Sequence, residues 1–550
     1  MSSFYIILLT HIYDAELAAQ VEPRLQRLVE RYRGRIPPPM ESSLSERDSI
    51  LITYGDQVRQ PGRPHLKTLA DFCEAHLSGL VSGIHILPFY PWSSDDGFSV
   101  KDYRVVDPAL GEWDDVERLG RSFRLMFDGV INHASAQGEW FRSFLRDESP
   151  YRDYFLTVTG NPDLSKVVRP RTLPLLTDFQ TASGPRRVWT TFSSDQVDLD
   201  FHNPDVLLEI LDILLMYAER RAQFIRLDAI AYLWKEIGTA CINLPQTHAI
   251  VQLLRAVFDD VAPHVRLVTE TNVPHADNIS YFGDGSNEAQ LIYNFALPPL
   301  VLHTFRTGDA SVLSQWASGL DLPSDRTAFF NFLASHDGIG LNPARGILSP
   351  ADVDALVEQT LAHGGLISYK QNADGTQSPY EMNINYFDAL SDTSGTEPLA
   401  IQIDRFMAAQ AIMLSLRGLP GIYFHSLFGS RNWNEGVQLG QRNRLINRQK
   451  LEIAQLETEL GDRNSLRSLV FARYSHLLAK RTGSSAFHPH GVQKIMDFGP
   501  KVFAVLRTSP AGDRRMLCLQ NVTAQPQTDA PYTLEPYQTL WLDKPEMKKQ

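Results

Sequence analysis

Three acidic residues in the middle of this 550-residue chain each stand at the end of a short apolar run. They are Asp228 in Phe224-Ile-Arg-Leu-Asp228, Glu270 in Val265-Arg-Leu-Val-Thr-Glu270 and Asp337 in Phe332-Leu-Ala-Ser-His-Asp337. Runs of this kind build buried strands. A carboxylate carried to the end of such a strand loses hydration, so it needs a partner or a task. Three of them in chain order, with helical stretches between, predict an α/β barrel whose strand tips converge on one sugar-sized pocket.

The rest of the chain reads consistently with that. Ile50-Leu-Ile-Thr-Tyr54, Gly83-Ile-His-Ile-Leu-Pro88, Leu125-Met-Phe-Asp128 and Gly421-Ile-Tyr-Phe-His425 supply further strands. Helical periods cover 66–77, 207–222, 250–261 and 401–416. Barrel segments are therefore expected at 46–133, 204–337 and 401–486, interrupted by inserted subdomains at 134–203 (B) and 338–400 (B′). Both inserts are irregular, the first rich in aromatic, Pro and Arg residues, the second in Gly, Asn, Ser and Tyr. Residues 1–45 read as a helical appendage, with apolar positions Leu17, Val21, Leu25, Leu28, Val29 and Tyr32 ending at Gly34 and Pro37-Pro-Pro39. Residues 487–550 alternate like a small β-sandwich, and Lys548-Lys549-Gln550 reads as a frayed end.

A chain this long exceeds one hydrophobic core, so smaller domains beside a large one are expected. The formal charge of −12 argues against a nucleic-acid partner. It also means that any anion used must be captured by a local group of arginines. Cys73, Cys241 and Cys518 are odd in number and lack CxxC spacing, so neither a disulfide framework nor a zinc site is expected. The apolar stretch Phe4-Tyr-Ile-Ile-Leu-Leu9 is too short for a membrane span, and a cytoplasmic protein without membrane contact, metal or organic cofactor is the reading. Nothing in the sequence requires or forbids a homodimer.

The chemistry starts from Arg226 and Asp228. Two apart on a strand, they point to the same side, and the guanidinium is expected to favour the ionised carboxylate that a nucleophile must be. Glu270 needs the opposite, a pKa raised by burial and by the Asp228 charge, to protonate a leaving oxygen. Asp337, preceded by His336, is placed to grip hydroxyls and stabilise an oxocarbenium-like charge. Asp128-Gly-Val-Ile-Asn-His133 adds a carboxylate to hold neighbours in place and a histidine to donate to a sugar hydroxyl.

In this order and spacing, Asp128…His133, Arg226-Leu-Asp228, Glu270 and His336-Asp337 resemble the four conserved regions of the α-amylase superfamily of retaining glycoside enzymes. The resemblance covers nearly all of 46–543. It implies a (β/α)₈ TIM barrel with an inserted B domain and a C-terminal β domain, with Asp228 as nucleophile, Glu270 as acid/base and Asp337 as transition-state stabiliser. His85-Ile-Leu-Pro-Phe-Tyr-Pro91, Asp95-Asp-Gly-Phe98, Arg169-Pro-Arg171, Trp189-Thr-Thr-Phe192 with Gln196, and Ile446-Asn-Arg448 look like the sucrose phosphorylase subfamily. That likeness implies a glucosyl site of Asp95, Phe98, His133, Phe192, Gln196, Arg226 and Arg444, with Tyr232, His336 and Tyr380 also binding substrate.

Phosphorolysis and hydrolysis share their first half and differ in what intercepts the glucosyl ester. Phosphate competes with water only through a cationic pocket in a closed site. Arg171, with Arg169 beside it, is the expected phosphate site. On the acceptor side the chain has Asn272 and Ser378-Pro-Tyr-Glu381 where sucrose phosphorylases carry other residues. With Glu270-Thr-Asn-Val-Pro-His275, Arg169-Pro-Arg-Thr-Leu-Pro-Leu-Leu176 and the appendage, this looks like the glucosylglycerate phosphorylase group. The substrates implied are an α-glucoside donor, inorganic phosphate and glycerate. An arginine, or Asn272 and His275, is expected to meet the glycerate carboxylate, and Glu381 to bind a hydroxyl. A phosphorylase of sucrose or sucrose 6-phosphate is the nearest alternative; an α-glucosidase or transglucosidase, or a non-catalytic sugar-binding relative, lies further off.

Overall fold

Eight short strands close into a barrel: β1 (Ile50–Thr53), β2 (Gly83–Ile86), β3 (Arg124–Gly129), β4 (Ala222–Leu227), β5 (Arg266–Thr269), β6 (Leu291–Tyr293), β7 (Ala328–Asn331) and β8 (Leu419–Tyr423). The computed structural model describes residues 2–543 apart from 40, 42, 393–394 and 530–531; the Lys548–Gln550 end lies outside the described residues. Consecutive strands lie side by side, all pairs are parallel, and β8 returns to β1. Strands such as Ile50-Leu-Ile-Thr53 are buried at every residue, because side chains fill the barrel on one face and helices cover the other.

The strand ends differ from the sequence pattern in three places. β7 stops at Asn331, so Phe332–Asp337 is not a strand. The Asn331 amide donates to Arg417 O (3.0 Å) and its Oδ1 accepts from Asn294, taking the chain out of the ladder there. β8 begins two residues earlier than the apolar run suggests, and His425 falls in a short helix, Phe424–Leu427. β6 has three residues and no pattern long enough to announce it.

At the N-terminus, α1 (Ser2–Ile12) and α2 (Ala15–Tyr32) lie against α3 (Pro204–Glu219) and α4 (Pro245–Val261). Asp14 caps α2, its carboxylate accepting from Leu17 N at 2.8 Å, and Val21, Leu25, Leu28 and Val29 are buried beneath it. Tyr13 donates to Phe201 O (2.9 Å), and Arg33 and Arg35 pair with Asp260 (3.0 Å) and Glu219 (2.7 Å). Exposed pairs of this kind orient a helix more than they stabilise it. Among the described residues, no helix is long and apolar enough to cross a membrane.

The inserts roof the barrel's C-terminal end. Residues 134–203 carry a three-stranded antiparallel sheet, and Gln196–Asp198 pairs with His133–Ser135. Residues 338–400 carry the hairpin Leu366–Gln371 with Gln377–Asn383. A backbone bridge between Arg169 and Gln371 joins the two inserts. At the other end, Val492–Ile495, Val502–Thr508, Arg515–Asn521 and Thr539–Asp543 form an antiparallel sheet. Its alternate residues face two ways: Phe503, Val505 and Cys518 join the main core, while Val502, Leu506 and Leu517 pack under the ribbon Gln527–Asp529/Tyr532–Leu534. Cys73, Cys241 and Cys518 are unpaired and buried.

Candidate active site

Parallel register puts Arg226 of β4 directly beside Asp128 of β3, so a guanidinium sits at the centre of the strand tips. Its Nη1 donates to Asp128 Oδ1 (2.5 Å) and Asp228 Oδ1 (2.9 Å), and its Nη2 lies 3.8 Å from Glu270 and 4.0 Å from Asp337. Asp228 and Glu270 each follow directly on their strands, β4 and β5. Ala229, with φ +49°, turns the chain there and donates its N–H to Glu270 Oε2 at 2.8 Å. Asp128 is completed by His85 Nε2 at 2.7 Å.

Burial dominates the electrostatics. It pushes both Asp228 and Glu270 up to about 7, outweighing Arg226; the charges of Asp128 and Asp337 add to the rise of Asp228, and those of Asp228 and Asp337 to the rise of Glu270. Arg226 favours the ionised form of Asp228, but burial outweighs it; of the two carboxylates it lies 0.9 Å closer to Asp228 than to Glu270 and so favours the charge on Asp228. Asp337 goes the other way. Burial opposes its ionisation, but Arg444, Arg226 and Arg448 hold it below the ordinary carboxylate range.

The pocket above is lined by Asp95, Phe98, His133, Phe192, Gln196, Tyr232, Asn272, His336, Tyr380, Glu381 and Arg444 together with Asp228, Glu270 and Asp337. Phe98 stacks on His336, 4.6 Å between centroids and 2° between planes. The backbone that delivers them is strained: Asp95 and Asp96 both have positive φ, +55° and +50°. Gly97 follows at φ +110°, where a Cβ would come within 2.6 Å of Pro88 O. Burial keeps His133 neutral, and its Nε2 faces Phe98 O at 2.8 Å, so that N–H is spent on a carbonyl instead of a sugar hydroxyl. Asn272 has a buried Oδ1 without a hydrogen-bond partner.

Three expectations change, those for Arg169, His275 and Glu381. Arg169 is not on the pocket wall; its Nη2 donates to Leu173 O within its own loop (2.5 Å). Arg171 does line the pocket, its guanidinium 5.7 Å from the Phe192 ring centre and 5.6 Å from that of Tyr380. His275 lies off the pocket, its ring edge-on to Trp316. Glu381 is not an open hydroxyl ligand: Arg444 Nη2 and Nε grip its two oxygens at 2.6 and 3.2 Å, with Arg171 3.8 Å away.

Some site residues were not legible as such. Arg448, part of the Ile446-Asn-Arg448 motif, donates from Nε to His336 O (2.8 Å) and from Nη1 to Asp96 (2.9 Å), with Nη2 3.7 Å from Asp337. Asn447 Nδ2 donates to the Ser335 and Asp337 carbonyls, both at 3.1 Å, and so fixes the segment that carries Asp337. Lys235 is buried with Nζ 2.7 Å from Asp198 and 2.8 Å from Asn132 Oδ1, tying insert B to the barrel beside His133. No local sequence pattern marks Lys235.

The chain is similar to known proteins in sequence and in fold. Residues 77–336 match the alpha-amylase catalytic domain. The chain is 53% identical to the glucosylglycerate phosphorylase of Spirochaeta thermophila, over 94% of this chain and 88% of that one. It is 51% identical to the glucosylglycerate phosphorylase of Allomeiothermus silvanus, over 94% and 95%. Among solved structures, the sucrose 6F-phosphate phosphorylase of Thermoanaerobacter thermosaccharolyticum superposes with a TM-score of 0.77 at 26% identity, covering 92% of this chain and 98% of that one.

Proposed function

The chain belongs to the α-amylase family, among its glycoside phosphorylases, and on that premise we propose that it converts 2-O-α-D-glucosylglycerate and phosphate into α-D-glucose 1-phosphate and D-glycerate. Asp228 attacks the anomeric carbon as the glycosidic C–O bond breaks, and Glu270 passes its proton to the departing glycerate oxygen. A phosphate oxygen then attacks the same carbon, and Asp228 leaves as a carboxylate. Two inversions keep the α configuration. Asp337, held ionised by its arginines, faces the charge that develops on the flattened ring.

The observation that carries this reading is the state of Arg171. Among the described residues it is the pocket-lining guanidinium without a carboxylate at hydrogen-bond distance; its one hydrogen bond goes to Pro170 O at 3.2 Å. Its remaining donors suit an anion with oxygens in a plane or a tetrahedron, such as a glycerate carboxylate or phosphate. Asn272, with an acceptor left open, suits a glycerate hydroxyl. Phosphate consumption measured with glucosylglycerate, sucrose and sucrose 6-phosphate tests the assignment: glucosylglycerate turns over fastest. Equal or reversed rates overturn the donor. β-Configured glucose 1-phosphate as first product, seen by NMR, overturns the mechanism.

A further inference from the structure

Two side chains on the pocket wall, His133 and Gln196, come from separate stretches of chain that meet behind the wall at one buried carboxylate. Asp198 is opposite His133 in the short antiparallel pair His133–Ser135 with Gln196–Asp198, and Gln196 is opposite Ser135. The Asp198 carboxylate accepts from Thr191 N at 2.8 Å on Oδ1 and from Thr191 Oγ1 at 2.7 Å on Oδ2. Asn132 Nδ2, from the residue before His133, donates to the same Oδ2 at 3.1 Å. Gln196 Nε2 and His133 Nε2 both reach Phe98 O, at 3.1 and 2.8 Å, so the aromatic wall of the pocket is tied to the same group.

A carboxylate with no exposed surface needs a counter-charge, and among the described residues the ion-pair partner of Asp198 is Lys235. The ammonium stands 2.7 Å from Asp198 Oδ2 and donates to Asn132 Oδ1 at 2.8 Å, and its side chain is only 2% exposed. Lys235 arrives from a third stretch of chain. That stretch carries Asp228, Ala229, Ala231 and Tyr232 on the pocket wall and passes through the single turn Ile230–Tyr232. It is anchored from behind, where Trp234 N donates to Thr247 Oγ1 (3.2 Å) and Asn243 N to Ala231 O (2.9 Å). Lys235 itself lies off the pocket wall, so it acts only through its partners.

Resting on the glucosyl chemistry above, we propose that Lys235 is a positioning residue of the glucosyl site: through Asp198 and Asn132 its ammonium holds His133 and Gln196 at a fixed distance from the segment that carries Asp228. A buried ion pair seldom adds stability over apolar side chains of the same volume, so stability does not account for this one; defined geometry does. A sugar ring has to be held close to the attacking oxygen, and a displacement of about 1 Å can cost on the order of 100-fold in rate. Arg171, the anion ligand, is held from the other side by Tyr380 and Glu381 of the second insert. Loosening the Lys235 link therefore acts on the sugar ring more than on phosphate.

The test is steady-state kinetics and thermal melting on the wild type, Lys235→Met and the double variant Lys235→Met/Asp198→Asn, with glucosylglycerate and with α-glucosyl fluoride as donors. The expected result is a KM for both donors raised about tenfold or more in both variants, while the phosphate KM moves by less than about threefold. The double variant buries no unpaired charge, so its Tm returns close to that of the wild type while the raised donor KM stays; it decides the matter if the single variant does not fold. A wild-type donor KM in either folded variant, with only Tm or kcat lowered, marks an ordinary structural pair and overturns the proposal. An equal rise in the phosphate KM overturns it too. The fluoride presents a glucosyl ring without glycerate, so a wild type that uses the fluoride but not glucosylglycerate fails the donor assignment alone and leaves this test in force.

Discussion

At the mouth of the barrel guanidiniums meet carboxylates; at its floor they meet carbonyls. Arg226, Arg444 and Arg448 touch or approach Asp95, Asp96, Asp128, Asp228, Glu270, Asp337 and Glu381, around a void of only about 60 Å³. Arg481 and Arg507 instead end on main-chain oxygens beside a void of about 590 Å³. The difference teaches what each end is built for. The mouth holds charge in fixed geometry around little free space, which chemistry on a glycosidic bond needs. The floor uses its guanidiniums to tie loop and strand ends together through their carbonyls.

The sharpest break in that contrast is Asp228→Ala, which leaves the mouth's other charges in place but removes the attacking oxygen. Glucose 1-phosphate formation should fall by at least about 10⁴-fold, with no glucosyl-enzyme in the mass spectrum. Activity near wild type would show that the cluster is a structural ion network like any other. Glu270→Gln should cost about 10³-fold with glucosylglycerate but much less with glucosyl fluoride, whose leaving group needs no proton. Equal losses on both donors would remove Glu270 from acid catalysis.

Arg171→Ala addresses the pocket guanidinium that, among the described residues, has donors to spare. It should raise the phosphate KM by roughly 10- to 100-fold and change the rate of glucosyl-enzyme formation less. An unchanged phosphate dependence would move the anion subsite elsewhere. The smallest effect concerns stability. Asp228 and Glu270 sit near 7 in the folded protein, above the ordinary carboxylate range, so the folded state holds more protons than the unfolded one between about pH 4 and 7. Stability contributed by the pair is therefore lost as pH rises through that window. Asp228→Asn should raise the Tm at pH 8 by roughly 2 °C and bring no gain at pH 4. A lower Tm at pH 8 would mean that the Arg226 contact outweighs burial. Activity should peak near neutral pH, falling on the acid side as Asp228 is protonated and on the alkaline side as Glu270 loses its proton.

The sequence carried the barrel because buried parallel strands are apolar throughout, and Asp228 and Glu270 end two of them. Asp337 was found for a reason the structure does not share: its apolar run lies beyond the strand, and Asn447 positions it from 110 residues away. Arg169 and Arg171 could not be told apart, since an irregular loop has no period from which to infer direction. The pairing of Glu381 with Arg444 is likewise tertiary, made between an insert and the barrel across 63 positions. Local pattern reports which residues are buried, whereas partner choice between distant segments leaves no trace in spacing.

The shared contacts of Arg226 have a further consequence. In the resting enzyme its charge is balanced among neighbouring carboxylates, one of which is Asp228. On the proposed mechanism, esterification removes the charge of Asp228 while Glu270, having given up its proton, takes on a charge of the same sign, so the anion moves from one side of Arg226 to the other and the total in the cavity is unchanged. Arg226 is thus never left without a counter-ion during the cycle, because whichever carboxylate gives up its charge the other one receives it.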